Sequence, residues 1–294
     1  MKIAIFGSTG MVGHCLVKYL ANNTNWTIHA FSRDIQKSKN NCSKFNVSHL
    51  LFDNIYLINN YDYIINCIGV TNAKFKEDIY QNLVWNAWFP KKLSKLNRGK
   101  IIHISTDAVF NKKTINPNEN TCISPDSLYS KTKSLGEIIS DNFFIIRTSF
   151  IGHELNSCNQ ILDKIINSNY ISGASNIFWN GITNFQFAKI CKNIIENNIK
   201  LNKITHIIPK DYVTKYQLYF LIKKHFNLKV KIIKTNDKDS NVRILKTLYP
   251  KLQNRLWNGN ILSIEEMISD LRFYDNISNI NLRNTNFINQ SILV

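Results

Sequence analysis

Residues 2–20 read KIAIFGSTGMVGHCLVKYL, and the order of residue types within them decides the fold. A short apolar run (Ile3–Phe6) is followed by Gly7-Ser8-Thr9-Gly10-Met11-Val12-Gly13 and then by an amphipathic stretch through Leu20. This predicts a strand, a glycine-rich turn and a helix. Each glycine then has a physical task. Gly7 allows the tight turn, Gly10 lets backbone approach a pyrophosphate, and Gly13 lets the helix pack closely. The helix N-terminus faces the phosphates, so the backbone of residues 7–13 is a candidate dinucleotide site.

Outward from this unit, strand and helix signals alternate. Trp26–Phe31 predicts a second strand, ending in Ser32-Arg33-Asp34. A neutral residue followed by Arg at this strand end suits a 2′-phosphate, so Ser32 and Arg33 point to NADP(H). Asp34, one or two positions late for a ribose contact, keeps NAD(H) open. A weak strand is expected near Val47–Phe52, and Tyr63–Ile68 is expected as the fourth. The chain at Cys67, Ile68 and Gly69 then lies beside the cofactor, with Val70 and Thr71 next to it. Residues 75–97 predict a helix with Asn86 at its middle, either as a brace or facing solvent. Ile101–Ile104 predicts the fifth strand, residues 127–140 a helix, and Phe143–Ile146 the sixth strand. Buried β-branched strands alternating with helices predict an α/β fold of Rossmann type, a doubly wound parallel sheet covered on both faces.

After residue 150 the pattern changes. Gly152–Ile166 suggests a loop and a helix, and Thr183 is expected to cap a helix running to about Asn197. Thr205–Ile208 and Lys229–Lys234 predict strands, and Thr214–Phe226 a helix. The expected division is residues 1–150 for the cofactor and catalytic groups and 151–294 for a smaller α/β substrate lobe interleaved with the first. The tail from Asp275 is Asn-rich and weakly patterned.

The chain has 294 residues and a formal charge of +17. Its lysines are scattered among Asn and Ile without a basic block, so neither a nucleic-acid partner nor membrane insertion is expected. Cysteines 15, 42, 67, 122, 158 and 191 show no paired spacing and predict free thiols in a reducing compartment. The start shows no signal peptide and no run is long enough to span a bilayer, so a cytoplasmic location is expected. The histidines form no ligand spacing, and no metal is expected.

The chemistry concentrates in residues 101–137, IIHISTDAVFNKKTINPNENTCISPDSLYSKTKSLGE. Tyr129 and Lys133 are one helical turn apart on one face. An ammonium beside a phenol stabilises the phenolate, so Lys133 is expected to lower the Tyr129 pKa and make it a usable proton donor or acceptor. Thr106, at a strand end, can hydrogen-bond the same substrate oxygen.

GSTGMVG at residue 7, NCIGVT after the fourth strand, STDAVF after the fifth, YSKTKSLGE on the helix and RTSFIG after the sixth resemble the extended short-chain dehydrogenase/reductases. Within that branch the chain is most similar to the dTDP-4-dehydrorhamnose reductase family of sugar-nucleotide reductases. The similarity is firm over residues 1–152 and fades beyond. It implies a catalytic set of Thr106, Tyr129 and Lys133, and a nicotinamide side lined by Gly69 and Thr148, Ser149 and Phe150. The implied reaction is hydride transfer from NADPH to the 4-keto carbon of a nucleotide-linked deoxysugar, with Tyr129 protonating the oxygen. Related 4,6-dehydratases carry an acid pair after the threonine. Here Asp107 is followed by Ala108, which favours simple reduction. Val70, Thr71, Asp107, Ala108, His153, Asn156, Trp179 and Asn180 are the candidate substrate contacts. A nucleotide-sugar epimerase with tightly held NAD and a non-catalytic cofactor-binding regulatory subunit remain as alternatives, and a homodimer is left open.

Overall fold

The first strand, β1 (Lys2–Phe6), alternates between two apolar layers. Ile3 and Ile5 enter the core on one face of the sheet, while Ala4 and Phe6 enter the core on the other. A strand with no polar side belongs at the centre of a sheet covered by helices on both faces. The computed structural model describes the chain except residues 45, 53–59, 71–77, 97–98, 156–159, 239 and 278–294.

The remaining strands are β2 (Thr27–Ser32), β3 (Val47–Leu51), β4 (Tyr63–Asn66), β5 (Lys100–Ile104), β6 (Phe143–Arg147), β7 (Phe150–Ile151) and β8 (Tyr170–Ala174). They continue as β9 (Phe178–Trp179), β10 (Ile182–Thr183), β11 (Ile204–His206), β12 (Val213–Thr214) and β13 (Lys231–Thr235). Seven of them form one parallel sheet in the order β11-β6-β5-β4-β1-β2-β3, with Ile3 opposite Ile28, Ile5 opposite Ile65 and Ile102 opposite Phe144. The chain reverses its direction of winding between β1 and β4, which opens a crevice at their carboxyl ends. The α/β, doubly wound fold expected from the sequence is present.

The helices are α1 (Met11–Asn23), α2 (Ile35–Asn41), α3 (Ile79–Leu83), α4 (Phe89–Leu96), α5 (Leu128–Leu135), α6 (Ile161–Ile166), α7 (Asn184–Glu196), α8 (Lys215–His225), α9 (Pro250–Leu256) and α10 (Ile264–Ile277). A π-helical turn, Val84–Trp88, joins α3 to α4. Helix α1 packs on α7 over one face. Leu16, Leu20, Phe187, Ile190 and Ile194 are buried there. Each such burial is worth about 1.5–3 kcal/mol. Phe89 and Leu93 of α4 cover the opposite face. Thr183 caps α7 by accepting from the Gln186 backbone, as the sequence predicts, and Thr214 caps α8 in the same way at Gln217. Among the described residues no helix is long and apolar enough to cross a membrane.

Several boundaries differ from expectation, three of them as follows. The fourth strand stops at Asn66, not Ile68, because the Asn66 side chain accepts from the Ile68 N–H and turns the chain out of the ladder. The helix expected over 127–140 ends at Leu135. There the Gly136 N–H closes back on the Lys133 carbonyl, and Glu137 turns inward to an ion pair with Arg147. The strand expected at Thr205–Ile208 lies at Ile204–His206 and extends the main sheet beside β6. The half of the chain after residue 150 thus completes the first layer. It also adds the small pairs β7–β10, β9–β12 and β8–β13.

Candidate active site

The crevice at the ends of β1 and β4 holds the glycine turn. Gly7 has φ +78°, a left-handed conformation that costs other residues strain. A Cβ at Gly13 would lie 2.1 Å from the Gly7 carbonyl oxygen, so only glycine lets α1 begin this close to the turn. Gly10 caps α1 without any side-chain bond, and the first turn carries no acidic residue. The first backbone N–H groups of α1 therefore face the crevice with the positive end of the helix dipole. The Ser8 side chain points away. It is buried and donates to the Phe31 carbonyl at 3.1 Å, fastening the turn to β2.

A groove continues from this turn over the end of β2. It is lined by Gly7, Thr9, Gly10, Ser32, Arg33, Asp34, Lys37, Phe52, Cys67, Ile68, Gly69, Val70 and Trp85. Ser32 bonds the Asp34 carbonyl, and the Asp34 carboxylate caps α2 at the Lys37 N–H. That occupies Asp34 and leaves Arg33, 6.0 Å from the Trp85 ring, and Lys37 as the groove's two cations among the described residues. Lys37 is absent from the sequence reading. Its place three residues after Asp34, whose carboxylate caps the unpredicted helix α2, is the signal that puts it there.

A second cavity shares Gly10, Cys67, Ile68 and Gly69 with the groove and adds Met11, Val12, Ile104, Ser105, Thr106, Asp107, Ala108, Tyr129, Lys133, Thr148, Ser149, Phe150, Glu154 and Gln160. The end of β5 delivers Thr106, whose oxygen caps a short turn by accepting from the Ala108 N–H at 3.2 Å. Helix α5 delivers Tyr129 and Lys133. A reciprocal Ser127–Ser130 capping box fixes its start. Thus Thr106, Tyr129 and Lys133, separated in sequence, line one cavity.

Burial dominates the electrostatics. It pushes the Tyr129 phenol up to about 12; a hydrogen bond with Thr106 opposes the rise and the Asp107 charge adds to it. Burial also pulls Lys133 down to about 8 against the attraction of Glu137. The Lys133 ammonium donates to the Ile104 carbonyl at 2.5 Å. The net shift of the phenol is therefore opposite to the lowering expected from the YxxxK spacing, because desolvation outweighs the Thr106 hydrogen bond while Lys133 directs its ammonium to the Ile104 carbonyl. Tyr129 holds its proton at neutral pH.

Asn86, left open between brace and surface residue, is fully buried. Its side chain accepts from the Val70 N–H at 2.9 Å and donates to the Val70 carbonyl and to Thr132 Oγ1 at 3.1 Å each. It ties the loop after β4 to helix α5. Behind the cavity, Glu137 accepts from the Ser105 hydroxyl at 2.6 Å and forms a two-pronged pair with Arg147 at 2.6 and 2.9 Å. The signal for this pair was a charged residue closing the apolar strand FFIIR and an acid soon after the catalytic helix.

The expected substrate contacts divide. Asp107 and Ala108 line the cavity and Val70 lines the groove. Thr71 and Asn156 lie outside the described residues. His153 is a correction: it is buried, with Nδ1 2.9 Å from Asp163 and Nε2 2.8 Å from Asp275, so both ring nitrogens are used within the fold. Asn180 is another, since it clamps both backbone groups of Leu245. Trp179 donates to Ser149 Oγ at 2.9 Å and so supports the cavity wall from behind. Glu154 and Gln160 on that wall, and Arg243 behind Asp107, were not identified from sequence.

The family model described as the RmlD substrate binding domain matches residues 1–264. No curated protein matches the chain in sequence. Among solved structures, a dTDP-4-dehydrorhamnose reductase from Clostridium acetobutylicum superposes with a TM-score of 0.69 at 19% identity, covering 95% of this chain and 100% of that one. The Bacillus anthracis dTDP-4-dehydrorhamnose reductase in complex with NADP gives 0.71 at 17%, covering 93% and 99%. The Bacillus cereus UDP-glucuronic acid 4-epimerase in complex with UDP-glucuronic acid and NAD gives 0.74 at 15%, covering 95% and 100%. At these identities the likeness is one of fold.

Proposed function

The chain belongs to the family of the RmlD substrate binding domain, within the extended short-chain dehydrogenase/reductases, and from that premise we propose that it reduces the 4-keto group of a nucleotide-linked deoxysugar with NADPH. The observation that carries this reading is the meeting of Thr106, Tyr129 and Lys133 in a cavity continuous with the glycine-turn groove. The residues present fit a nicotinamide dinucleotide. Gly7 and Gly13 clear space for backbone at the turn, the start of α1 offers N–H groups, and Arg33 and Lys37 suit a 2′-phosphate.

A nicotinamide dinucleotide held there by the glycine turn, Arg33 and Lys37 would supply the hydride for the carbonyl carbon. The chain supplies the rest. Thr106 hydrogen-bonds the carbonyl oxygen and orients it. As the C–O double bond becomes an alkoxide, Tyr129 delivers one proton to that oxygen, giving the alcohol. A phenol raised to about 12 is fully protonated beforehand, which suits a donor. Lys133, at about 8, can return a proton to the phenolate near neutral pH. Ala108 stands where an elimination would need a second acid. Such products feed cell-surface polysaccharide synthesis.

The epimerase fold neighbour favours a second reading, reversible oxidation at the same carbon with retained NAD. NADPH oxidation with dTDP- and UDP-linked 4-keto-6-deoxy sugars separates the two. Turnover with stoichiometric NADP release supports reduction. Protein that purifies with NAD(H) and reduces no added keto sugar overturns it.

A further inference from the structure

Asp107 carries a partner that the reductase reading leaves without a task. Its carboxylate follows Thr106 at the end of β5 and lines the catalytic cavity. One oxygen, Oδ1, accepts from the Thr106 hydroxyl at 3.3 Å. The other, Oδ2, takes Nε and Nη2 of Arg243 at 3.0 and 2.9 Å. The third guanidinium nitrogen, Nη1, donates to the Phe110 carbonyl at 2.8 Å. All three nitrogens are engaged, and the side chains are only 12% and 18% exposed for Arg243 and Asp107. A planar fork held this way fixes both the position and the direction of a carboxylate.

Arg243 lies 136 residues from Asp107 on a segment strapped across the loop after β5. The Val242 N–H donates to the Lys112 carbonyl at 3.2 Å and the Lys246 N–H to the Pro117 carbonyl at 2.8 Å. Asn180 clamps Leu245 between them. This construction holds the guanidinium behind Asp107 from outside the catalytic motif.

We propose that Arg243 is a positioning residue for proton transfer: through Asp107 it sets how tightly the Thr106 hydroxyl proton is held, and so whether Thr106 can donate to the oxygen that Tyr129 protonates. The proposal deepens the carbonyl-reduction reading and rests on it. A carboxylate without a counter-charge competes strongly for an adjacent hydroxyl proton. With the guanidinium sharing its charge, Asp107 keeps the Thr106 proton only at 3.3 Å, long for an O–H···O bond. Thr106 is then free to serve the phenol or the substrate. Among the described residues, the titratable and charged groups around the Tyr129 phenol are Asp107 beside Thr106, Lys133 on its own helix, Cys67 after β4, Glu154 after β7, and Arg243 behind Asp107. Burial, the Thr106 bond and the Asp107 charge all act on that phenol, so the Arg243 contact limits the last of them.

The test is a cycle of Arg243→Ala, Asp107→Asn and the double variant, with Arg243→Lys as the variant that keeps the charge but loses the fork. In NADPH oxidation, Arg243→Ala lowers kcat by about tenfold or more with KM and NADPH affinity little changed, as for an interaction felt in the transition state. Asp107→Asn in that background restores most of the loss, because the stranded charge is gone, and Arg243→Lys is intermediate. A loss that persists unchanged in the double variant overturns the proposal. A second measurement needs no substrate and therefore stands apart from the reductase reading. With tyrosine labelled at Cζ, the Tyr129 resonance is assigned by its disappearance in Tyr129→Phe and followed on raising the pH. It begins to ionise earlier than wild type in Asp107→Asn and later in Arg243→Lys or Arg243→Ala. Coincident titrations in all the folded variants refute the coupling, whether or not any keto sugar is reduced.

Discussion

His153 offers the sharpest quantitative test of the fold. Burial lowers its pKa, but hydrogen bonds to Asp163 and Asp275 and the charges of the two carboxylates outweigh burial, and the imidazole is raised from 6.5 to about 9. The folded protein therefore holds this proton more tightly than the unfolded chain. The stabilisation is fully present below about pH 6.5, declines as the pH rises through the window between the two values, and is gone above about 9. A shift of this size corresponds to about 3 kcal/mol, at 1.36 kcal/mol per unit. The experiment is denaturant unfolding of wild type and His153→Gln at a series of pH values from about 6 to about 10 across that window. His153→Gln leaves Asp163 and Asp275 buried without their cation, which costs about 3–5 kcal/mol at the acidic end. Subtracting one curve from the other cancels the lysines, tyrosines and thiols that also titrate there. The difference shrinks by about 3 kcal/mol toward the alkaline end. A difference that stays flat with pH refutes the charged histidine, and one that grows with pH reverses the sign of the linkage.

Other sites give outcomes of their own. His14 is the opposite case: burial lowers it from 6.5 to about 4, so its contribution is present above pH 6.5 and is lost as the pH falls through about 4. His14→Phe flattens the acid limb of the unfolding curve by about 3 kcal/mol. Tyr129→Phe lowers kcat by about 100-fold or more while leaving NADPH affinity within a factor of about two, read by single-turnover kinetics and fluorescence titration. Arg33→Ala and Lys37→Ala each weaken NADPH by about tenfold and NADH by much less, an effect that fades at high salt, and equal losses for both cofactors count against the 2′-phosphate contact. Glu137→Gln breaks the buried pair with Arg147 and lowers unfolding stability by about 3–5 kcal/mol, measured by denaturant midpoint.

The parts legible in the sequence are those governed by local rules. The glycine turn, the strand and helix alternation behind the sheet and the cap at Thr183 each arise from residues within a few positions of one another. Thr106, Tyr129 and Lys133 were legible because a strand end and a helix face fix their directions and a familiar motif names them. The sign of the Tyr129 shift was not, because spacing shows a neighbouring charge but not how far both groups are buried. His153 looked like a pocket residue because its partner Asp275 lies in a weakly patterned tail. Asn180 holds Leu245 and Arg243 holds Asp107, each across more than sixty residues, and no periodicity reports such contacts. The early end of the catalytic helix depends on Arg147, which arrives from the next strand to claim Glu137.

The π-helical turn at Val84–Trp88 has a consequence for the phase of the helix that contains it. A turn closed over five residues rather than four holds one residue too many, and the residues beyond it are rotated by about 100° relative to an uninterrupted α-helix. That slip is what lets Asn86 point inward to Val70 and Thr132 while Trp85 and Phe89 still meet, 5.7 Å apart, on the side of the cofactor groove, and Trp88 faces out at 55% exposure. Deleting a single residue here would regularise the helix and at the same time swing one of its two halves off its face. Either Asn86 leaves the catalytic helix or Phe89 and Leu93 leave the sheet. The extra residue acts as a phase lock between cofactor loop and core, so length changes in this helix are tolerated only in whole turns.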